Sequence, residues 1–204
     1  KMEEAEKADA AKSVTVSVDA SKKDLETFMR GYSAQTVEEL DMLVSKYVEL
    51  ADALRREGRD DEALAEILTG ADLALNHYLS IPNVLYRKNL YDFYRVSARE
   101  VKALYRFTEW LFKAGHADRK IEFLEKAYRC SRLMLALYPV GETLLFVNEL
   151  RYSYSLSGYE DRETALLGEY FEFVFRHPMP ASEKFARIDD INCQRYIDLL
   201  RSHG

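Results

Sequence analysis

The sequence predicts an all-α protein built from antiparallel helical hairpins, and three observations lead to this fold class. The 204 residues include only 8 glycines and 4 prolines, well below the usual shares of roughly 7% and 5%, so tight turns are few. Apolar residues recur every three or four positions from Lys23 onward, which is the period of an amphipathic helix. The periodic segments are joined by short turns, and short turns force neighbouring helices to be antiparallel. An irregular helical bundle is the alternative arrangement.

A polar, alanine-rich segment, residues 1–22, opens the chain. We predict that this segment is a flexible leader. The remaining residues, 23–204, are numerous enough for one sizeable core, so we predict a single all-helical domain there. A short helix near 23–31 comes first in this domain and ends at Gly31.

The first hairpin follows this short helix. Thr36 and Glu39 predict the start of its first helix, because they form a capping box in which each side chain satisfies a backbone N–H of the first turn. This helix ends at Gly58. The second helix begins with the acidic run at 60–62, which suits the positive end of a helix dipole, and ends before Pro82. The apolar stripe of the first helix consists of Leu40, Leu43, Val44, Tyr47, Leu50, Ala51 and Leu54.

Five further helices are predicted after Pro82. Residues 85–114 form one long helix with an uninterrupted apolar side. A partner helix spans about 118–137, and another pair spans 142–157 and 161–176. Ser182 caps a last helix near the C-terminus. The apolar side of the long helix consists of Leu90, Phe93, Tyr94, Val101, Leu104, Phe107, Leu111 and Phe112.

Two glycines, Gly70 and Gly168, lie inside helical patterns rather than at breaks. Glycine costs about 1 kcal/mol relative to alanine in the interior of a helix. We therefore expect a neighbouring helix to pack closely against the backbone at both positions.

The composition and charge argue against several classes of function. A formal charge of −6 argues against wholesale nucleic-acid binding, which usually needs a basic domain. No apolar run approaches the roughly 18 residues of a membrane span. Cys130 and Cys193 match no metal or redox spacing, so we expect two plain thiols, or one disulfide if the fold brings them together. No signal peptide is visible, which favours the cytoplasm, but an exported form with a removed leader is an alternative, because the chain starts at Lys1.

Three hairpin turns share a similar tetrapeptide, in which an aspartate follows the glycine by three residues. Self-similarity of this kind predicts a repeat array. The three turns are Gly58-Arg59-Asp60-Asp61, Gly115-His116-Ala117-Asp118 and Gly158-Tyr159-Glu160-Asp161.

The first hairpin resembles a tetratricopeptide repeat. Its large, small and turn residues stand in the order of that motif: Tyr47, Leu50, Ala51, Leu54, Gly58, Ala63, Ile67 and Gly70. The second and third hairpins match less well, since Lys120, Arg151 and Glu163 stand where the family has small residues. The turn glycines are also 57 and then 43 residues apart, against about 34 in the family. The resemblance implies a right-handed superhelix of stacked hairpins that holds a peptide or protein in a groove.

Six basic residues follow one line along the long helix, opposite its apolar side. Offsets of 7, 4, 3, 4 and 7 residues keep them on that line. Our hypothesis is a binding strip for an acidic or phosphorylated segment, because arginine forks pair well with carboxylate and phosphate. The alternative is an ordinary solvated helix face. The six residues are Lys88, Arg95, Arg99, Lys102, Arg106 and Lys113.

No catalytic motif is visible, whether for a zinc protease, a phosphate-binding loop, a dinucleotide fold or a nucleophile elbow. None of the four histidines has a glutamate three residues before it, which argues against a ferritin-like di-iron site. We therefore expect no catalytic residue, metal or cofactor. The leading hypothesis is a scaffold or adaptor that binds a protein or an acidic peptide. A helical enzyme or small-ligand sensor with a pocket between hairpins, and a self-associating structural subunit, are the alternatives.

Overall fold

The structure, a computed structural model, describes residues 17–85, 90–137, 142–176 and 190–202. Every regular element in these ranges is an α-helix, which confirms the all-α prediction for this part of the chain. In chain order the helices are α1 (Val18–Gly31), α2 (Val37–Arg56), α3 (Asp60–Leu85), α4 (Leu90–Lys113), α5 (Ala117–Leu137), α6 (Glu142–Leu156), α7 (Glu160–Arg176) and α8 (Asp190–Ser202). Ser182, the predicted cap of the last helix, lies outside the described residues.

The first helix begins earlier than the predicted start near residue 23. Ser17 caps α1, because its side chain accepts a hydrogen bond from the N–H of Ala20. Val18 and Ser21 are buried, so the first turn of α1 belongs to the packed structure. Residues 1–16 of the predicted leader lie outside the described residues.

One predicted boundary near Pro82 is wrong, since α3 continues to Leu85 rather than ending before Pro82. α4 is described from Leu90 onward, and residues 86–89, next to the predicted start of the long helix, lie outside the described residues. A proline removes only its own N–H from the helix ladder, so a helix that is near its end can continue for a few residues beyond it. The capping box of α2 is confirmed, since Thr36 and Glu39 each accept a hydrogen bond from the other's backbone N–H.

The three predicted hairpin turns adopt one and the same backbone geometry. Gly58, Gly115 and Gly158 all have positive φ, at 75°, 82° and 72°. Each glycine N–H bonds to the carbonyl three residues earlier, and the next residue's N–H bonds to the carbonyl five residues earlier. This pair of bonds is a Schellman motif, which ends a helix by satisfying its last carbonyls. The residue after each glycine then accepts the first hydrogen bond of the following helix.

The hairpins contact one another in chain order. α4 packs against both α2 and α6, so these three helices form one layer. α3 and α5 pack against each other and against the helices that flank them in the chain, while α7 packs against α6 and α8. The core lies between these helices, and its largest fully buried side chains are Tyr78, Tyr170, Phe107, Phe146, Leu40, Leu43, Leu50, Leu54, Ile67, Leu104 and Leu111.

The two glycines inside helices mark close contacts, as predicted. A Cβ atom built on Gly70 would lie 2.5 Å from Cγ of Tyr47, which belongs to the other helix of the same hairpin. A Cβ atom built on Gly168 would lie 2.8 Å from the hydroxyl oxygen of Tyr196 on α8. A side chain at Gly70 would therefore clash with the base of the Tyr47 ring, whereas one at Gly168 would meet only the far end of Tyr196.

Candidate functional site

The layer formed by α2, α4 and α6 exposes the same positions on all three helices. Side chains six, three and two residues before each turn glycine are exposed, while those four, five and eight residues before it are buried. Because the three helices share this phase and lie side by side, their exposed residues form one surface. We call it the α2–α4–α6 face, and it consists of Asp52, Arg55, Arg56, Glu109, Phe112, Lys113, Tyr152, Ser155 and Leu156.

Three large apolar side chains of this face are exposed to solvent. Phe112 is 57% exposed, Tyr152 is 53% exposed and Leu156 is 59% exposed. The assignment of Phe112 to the buried side of the long helix is therefore wrong. The neighbouring Leu111 fills the core instead, because a step of 100° per residue turns Phe112 away from it.

A chain of contacts links Phe112 on α4 to Glu149 on α6 through Lys120 on α5. The ammonium group of Lys120, on α5, lies 5.2 Å from the ring centre of Phe112. The same ammonium group forms an ion pair of 2.6 Å with Glu149 on α6. Tyr152 lies one helical turn beyond Glu149, so the exposed part of α6 continues the surface that begins at Phe112.

The six residues of the predicted basic strip do not share one environment. Lys88 lies outside the described residues, and Arg95 and Arg99 lie on α4 with side chains outside the described part. Lys102 and Lys113 are exposed, and Lys113 lies 3.8 Å from Glu109, one turn earlier on the same helix. Arg106 is half-buried, so Lys102 and Lys113 are the exposed members among the described residues of the strip.

Arg106 instead joins α4 to α2. Its Nη1 donates a hydrogen bond to the hydroxyl of Ser45 at 2.6 Å. One turn later, the indole N–H of Trp110 donates to the carboxylate of Asp52 at 2.9 Å. The guanidinium of Arg55 lies 5.5 Å from the centre of the Trp110 ring. These contacts hold the first two helices of the layer together beside the exposed surface.

One repeated position, at the start of each second helix, is buried in all three hairpins and charged in two of them. The residue five positions after each turn glycine is Ala63, Lys120 or Glu163, and all three are buried. Lys120 pairs with Glu149 of the next hairpin. Glu163 accepts two hydrogen bonds from Arg195 on α8, at 2.9 and 2.7 Å, and lies 3.6 Å from Arg151. The residues that depart from the tetratricopeptide pattern therefore form ion pairs between successive helices.

Two titratable groups with shifted pKa values, Tyr105 and His77, lie inside the helical stack. Burial raises the pKa of Tyr105 above its ordinary value, and the nearby charge of Glu149 adds to the effect. Burial lowers the pKa of His77, whose Nδ1 lies 2.7 Å from the hydroxyl of Tyr32. Neither group lies on the α2–α4–α6 face, so these shifts concern stability and not that surface.

The described residues contain no cluster of three or more histidine, cysteine, aspartate or glutamate side chains arranged to hold a metal ion. Neither Cys130 nor Cys193 takes part in a disulfide within the described residues, and both are half-buried. None of the described helices combines the length and the apolar character that crossing a membrane requires.

Comparison with known proteins gives no match of any kind. No protein-family model matches the chain, and neither a curated protein nor a solved structure matches it. The case for a function therefore depends on the residues and contacts described above.

The sequence prediction missed the exposed apolar residues, although a signal for them was present. Tyr152 and Leu156 stand at the same distances from Gly158 as Glu109 and Lys113 do from Gly115. Aligning the hairpins on their turn glycines would have placed these apolar residues at positions that are charged in the preceding hairpin. Exposed apolar residues that lie together mark interaction surfaces, whereas single ones are common on any protein.

Proposed function

We propose that the chain is a scaffold that binds a protein or peptide, that its hairpins form a tetratricopeptide-like right-handed array, and that the α2–α4–α6 face is the binding surface. The observation that carries this proposal is the exposure of Phe112, Tyr152 and Leu156 on neighbouring helices. Exposed apolar patches rimmed by polar residues mark interaction sites more often than they occur by accident.

The repeated turn supports the array. Three hairpins end their first helix with the same Schellman motif, and the same positions are buried in each first helix. Each hairpin also contacts the next one along the chain. A repeat architecture has both properties, because each unit buries its apolar face against its neighbours.

The charge of the face supports an acidic partner. With Lys102 and Glu49, which continue the face along α4 and α2, its described residues include four basic side chains, Arg55, Arg56, Lys102 and Lys113, and three acidic ones, Glu49, Asp52 and Glu109. The face therefore has one more positive than negative charge in a chain whose formal charge is −6. Arg95 and Arg99 add two more positive charges to α4 in the sequence. Complementary charge steers association and favours partners of opposite sign.

The partner that fits best is a segment with both acidic and apolar side chains. Aromatic and arginine side chains supply most of the energy at typical interfaces, and the aromatic ones bury large areas at a small loss of rotational freedom. Phe112 and Tyr152 would contact the apolar residues of the segment. Lys102 and Lys113 would contact its carboxylates.

Two pools of short fluorescent peptides test this proposal by fluorescence anisotropy. Both pools carry leucine and phenylalanine at the same positions, and the other positions are aspartate and glutamate in one pool and lysine and arginine in the second. We expect the acidic pool to bind and the basic pool not to bind. The double variants Phe112→Ser/Tyr152→Ser and Lys102→Glu/Lys113→Glu should each weaken binding about tenfold or more.

Matched variants on other helices serve as controls. Phe175→Ser removes an equally exposed aromatic ring from α7, and Arg176→Glu/Arg201→Glu makes the same change in net charge on α7 and α8. Both controls should bind the acidic pool like the unmodified chain. Equal binding of the two pools, or equal loss in the controls, would contradict the proposal. A molecular mass that rises with concentration would indicate self-association instead.

A further inference from the structure

Two pockets occupy equivalent places between successive hairpins, on the side of the protein formed by the second helix of each hairpin. The first lies between α3 and α5 and has a volume of about 140 Å³. The second lies between α5 and α7 and has a volume of about 300 Å³. Counted from the turn glycines, Arg162 in the second pocket is equivalent to Arg119 in the first, and Arg129 is equivalent to Asp72.

The charged groups of the first pocket satisfy one another. Arg119 donates a hydrogen bond to Glu122 at 2.8 Å, and Lys126 donates one to Asp72 at 3.0 Å. This arrangement leaves no obvious role for a ligand.

The second pocket has a different arrangement of charges. The guanidinium groups of Arg129 and Arg162 lie 3.9 and 3.7 Å from the carboxylate of Glu125, which is beyond hydrogen-bond distance. Within the described part of the chain, neither group donates a hydrogen bond. The carboxylate itself accepts one from the hydroxyl of Tyr154 at 2.6 Å. Burial and the neighbouring Glu125 both raise the pKa of Tyr154, so this hydroxyl stays protonated and keeps donating.

The two guanidinium groups are accessible, and at least one of them is held in place. Arg129 is 69% exposed and Arg162 is 61% exposed. Arg162 lies 5.1 Å from the ring centre of Tyr159, and a cation above an aromatic ring is attracted to it. Holding a protein side chain in place lowers the side-chain entropy that is lost when a ligand binds, so the pocket is partly preorganised.

The rest of the lining is mostly apolar. Leu150 and Leu166 lie on α6 and α7, and the ring of Tyr128 comes from α5. Glu169 also lines the pocket, so its four charged side chains sum to no net charge. A ligand that is only an anion would therefore gain little. A ligand with a carboxylate at one end and an apolar group at the other would contact both the guanidinium groups and the apolar lining.

We propose that this pocket between α5 and α7 binds a small carboxylic acid with an apolar body, whose carboxylate takes the hydrogen bonds that Arg129 and Arg162 do not make within the protein. The planar fork of arginine fits a carboxylate in a bidentate manner. The pocket volume is at the lower end of the range seen for small-molecule sites, roughly 300–1,000 Å³. The site is separate from the α2–α4–α6 face, so this inference does not rest on the proposed function.

Isothermal titration calorimetry with phenylacetate tests the site. Phenylacetate should bind, whereas phenylacetamide, which has the same shape without the charge, should bind at least tenfold more weakly. The variants Arg129→Gln and Arg162→Gln should each weaken phenylacetate binding about tenfold, because each removes a charged hydrogen bond. Both residues are largely exposed, so these variants should fold normally. Arg119→Gln, at the equivalent position of the first pocket, should leave binding unchanged.

A further variant separates this proposal from the simpler one that the two arginines only neutralise Glu125. Glu125→Gln removes a negative charge beside the bound carboxylate and keeps an acceptor for Tyr154. It should therefore strengthen phenylacetate binding severalfold. Absence of binding, equal binding of acid and amide, or arginine variants that bind like the unmodified chain would each overturn the proposal.

The carboxylate could come from a free acid or from an acidic side chain of another protein. A blocked peptide with one glutamate beside a leucine distinguishes these sources. Tighter binding of phenylacetate than of the peptide supports the free acid that we propose. Tighter binding of the peptide overturns the proposal of a small-molecule site.

Discussion

The carboxylate of Glu163 on α7 is fully buried and accepts two hydrogen bonds from the guanidinium of Arg195 on α8, at 2.9 Å from Nε and 2.7 Å from Nη2. Arg151 of α6 lies 3.6 Å from the same carboxylate. One acidic residue thus joins three helices. A charge in such a place is stable only because both of its oxygens are engaged.

Replacing Glu163 by glutamine should destabilise the protein by about 3 kcal/mol. The amide offers only one acceptor oxygen, and it leaves two positive guanidinium groups without a counter-charge in a partly buried place. Urea unfolding followed by circular dichroism measures this change. Glu172→Gln is the matched control, because Glu172 pairs with Arg176 at 2.6 Å on the surface, and such pairs contribute about 1 kcal/mol or less. Equal losses in the two variants would show that burial of Glu163 is not decisive.

Gly70→Ala should destabilise the protein by about 1–3 kcal/mol. The new methyl group would lie 2.5 Å from Cγ of Tyr47, and this atom cannot move without shifting the whole ring in the core. The expected loss exceeds the gain of about 1 kcal/mol that alanine brings to a helix. Thermal unfolding provides the measurement.

Alanine variants at two other glycines serve as comparisons for Gly70→Ala. Gly168→Ala should cost less than Gly70→Ala, since the nearest atom there is the hydroxyl at the far end of Tyr196. Gly31→Ala should cost nothing, because no atom lies within 4 Å of the new carbon. A larger loss at Gly31 than at Gly70 would contradict the packing explanation.

The contrast between Gly70 and Glu163 shows how much of the structure could be predicted from the sequence. A glycine inside a helical pattern is unusual whatever its neighbours are. The close packing of another helix against Gly70 could therefore be predicted from this one residue. The turns at Gly58, Gly115 and Gly158 could be predicted for the same reason, since local sequence decides where a helix ends. The all-α class and most helix bounds follow from such local signals.

The ion pairs and hydrogen bonds between helices depend on contacts that no local signal reveals. Glu163 and Lys120 looked like departures from a repeat pattern, because their partners Arg195 and Glu149 lie on other helices. Arg106 looked like one member of a charged line, but Ser45 of α2 takes its hydrogen bond. Whether a charged residue faces solvent or a neighbouring helix depends on where that helix lies, and one sequence does not contain this information.

Asp52→Ala should lower the free energy of unfolding by about 1 kcal/mol, because it leaves the buried indole N–H of Trp110 without its acceptor. Asp52→Asn should lose less, since the amide oxygen still accepts the bond. Trp110 is the single tryptophan of the chain, so its fluorescence reports on the contact between α2 and α4. The alanine variant should show a shifted emission maximum in the folded state. An unchanged emission maximum would argue against this hydrogen bond.

Acid should destabilise the protein in an upper and a lower range of pH, and the upper range belongs to His77. Burial lowers the pKa of His77 below its ordinary value of 6.5, although the charge of Glu39 opposes this shift. The unfolded chain therefore binds a proton at a higher pH than the folded chain does. The stabilisation that neutral His77 contributes should be fully present above pH 6.5, and it should decrease as the pH falls below that value. His77→Gln, which does not titrate, should abolish this part of the pH dependence in urea unfolding.

The lower range belongs to Glu39. Partial burial raises its pKa, but hydrogen bonds from the Ser33 side chain and from the backbone N–H groups of Ser33, Gln35 and Thr36 outweigh this effect and lower the pKa from 4.5 to about 2. Because the folded pKa is depressed, the stabilisation is present above pH 4.5 and is lost as the pH falls towards 2. Glu39→Gln should cost about 1 kcal/mol at neutral pH, as the loss of a helix cap does. It should also flatten the stability curve between pH 4.5 and 2, whereas the His77→Gln variant should keep that slope. A Glu39→Gln variant with an unchanged acid slope would show that the capping box is not the group that titrates there.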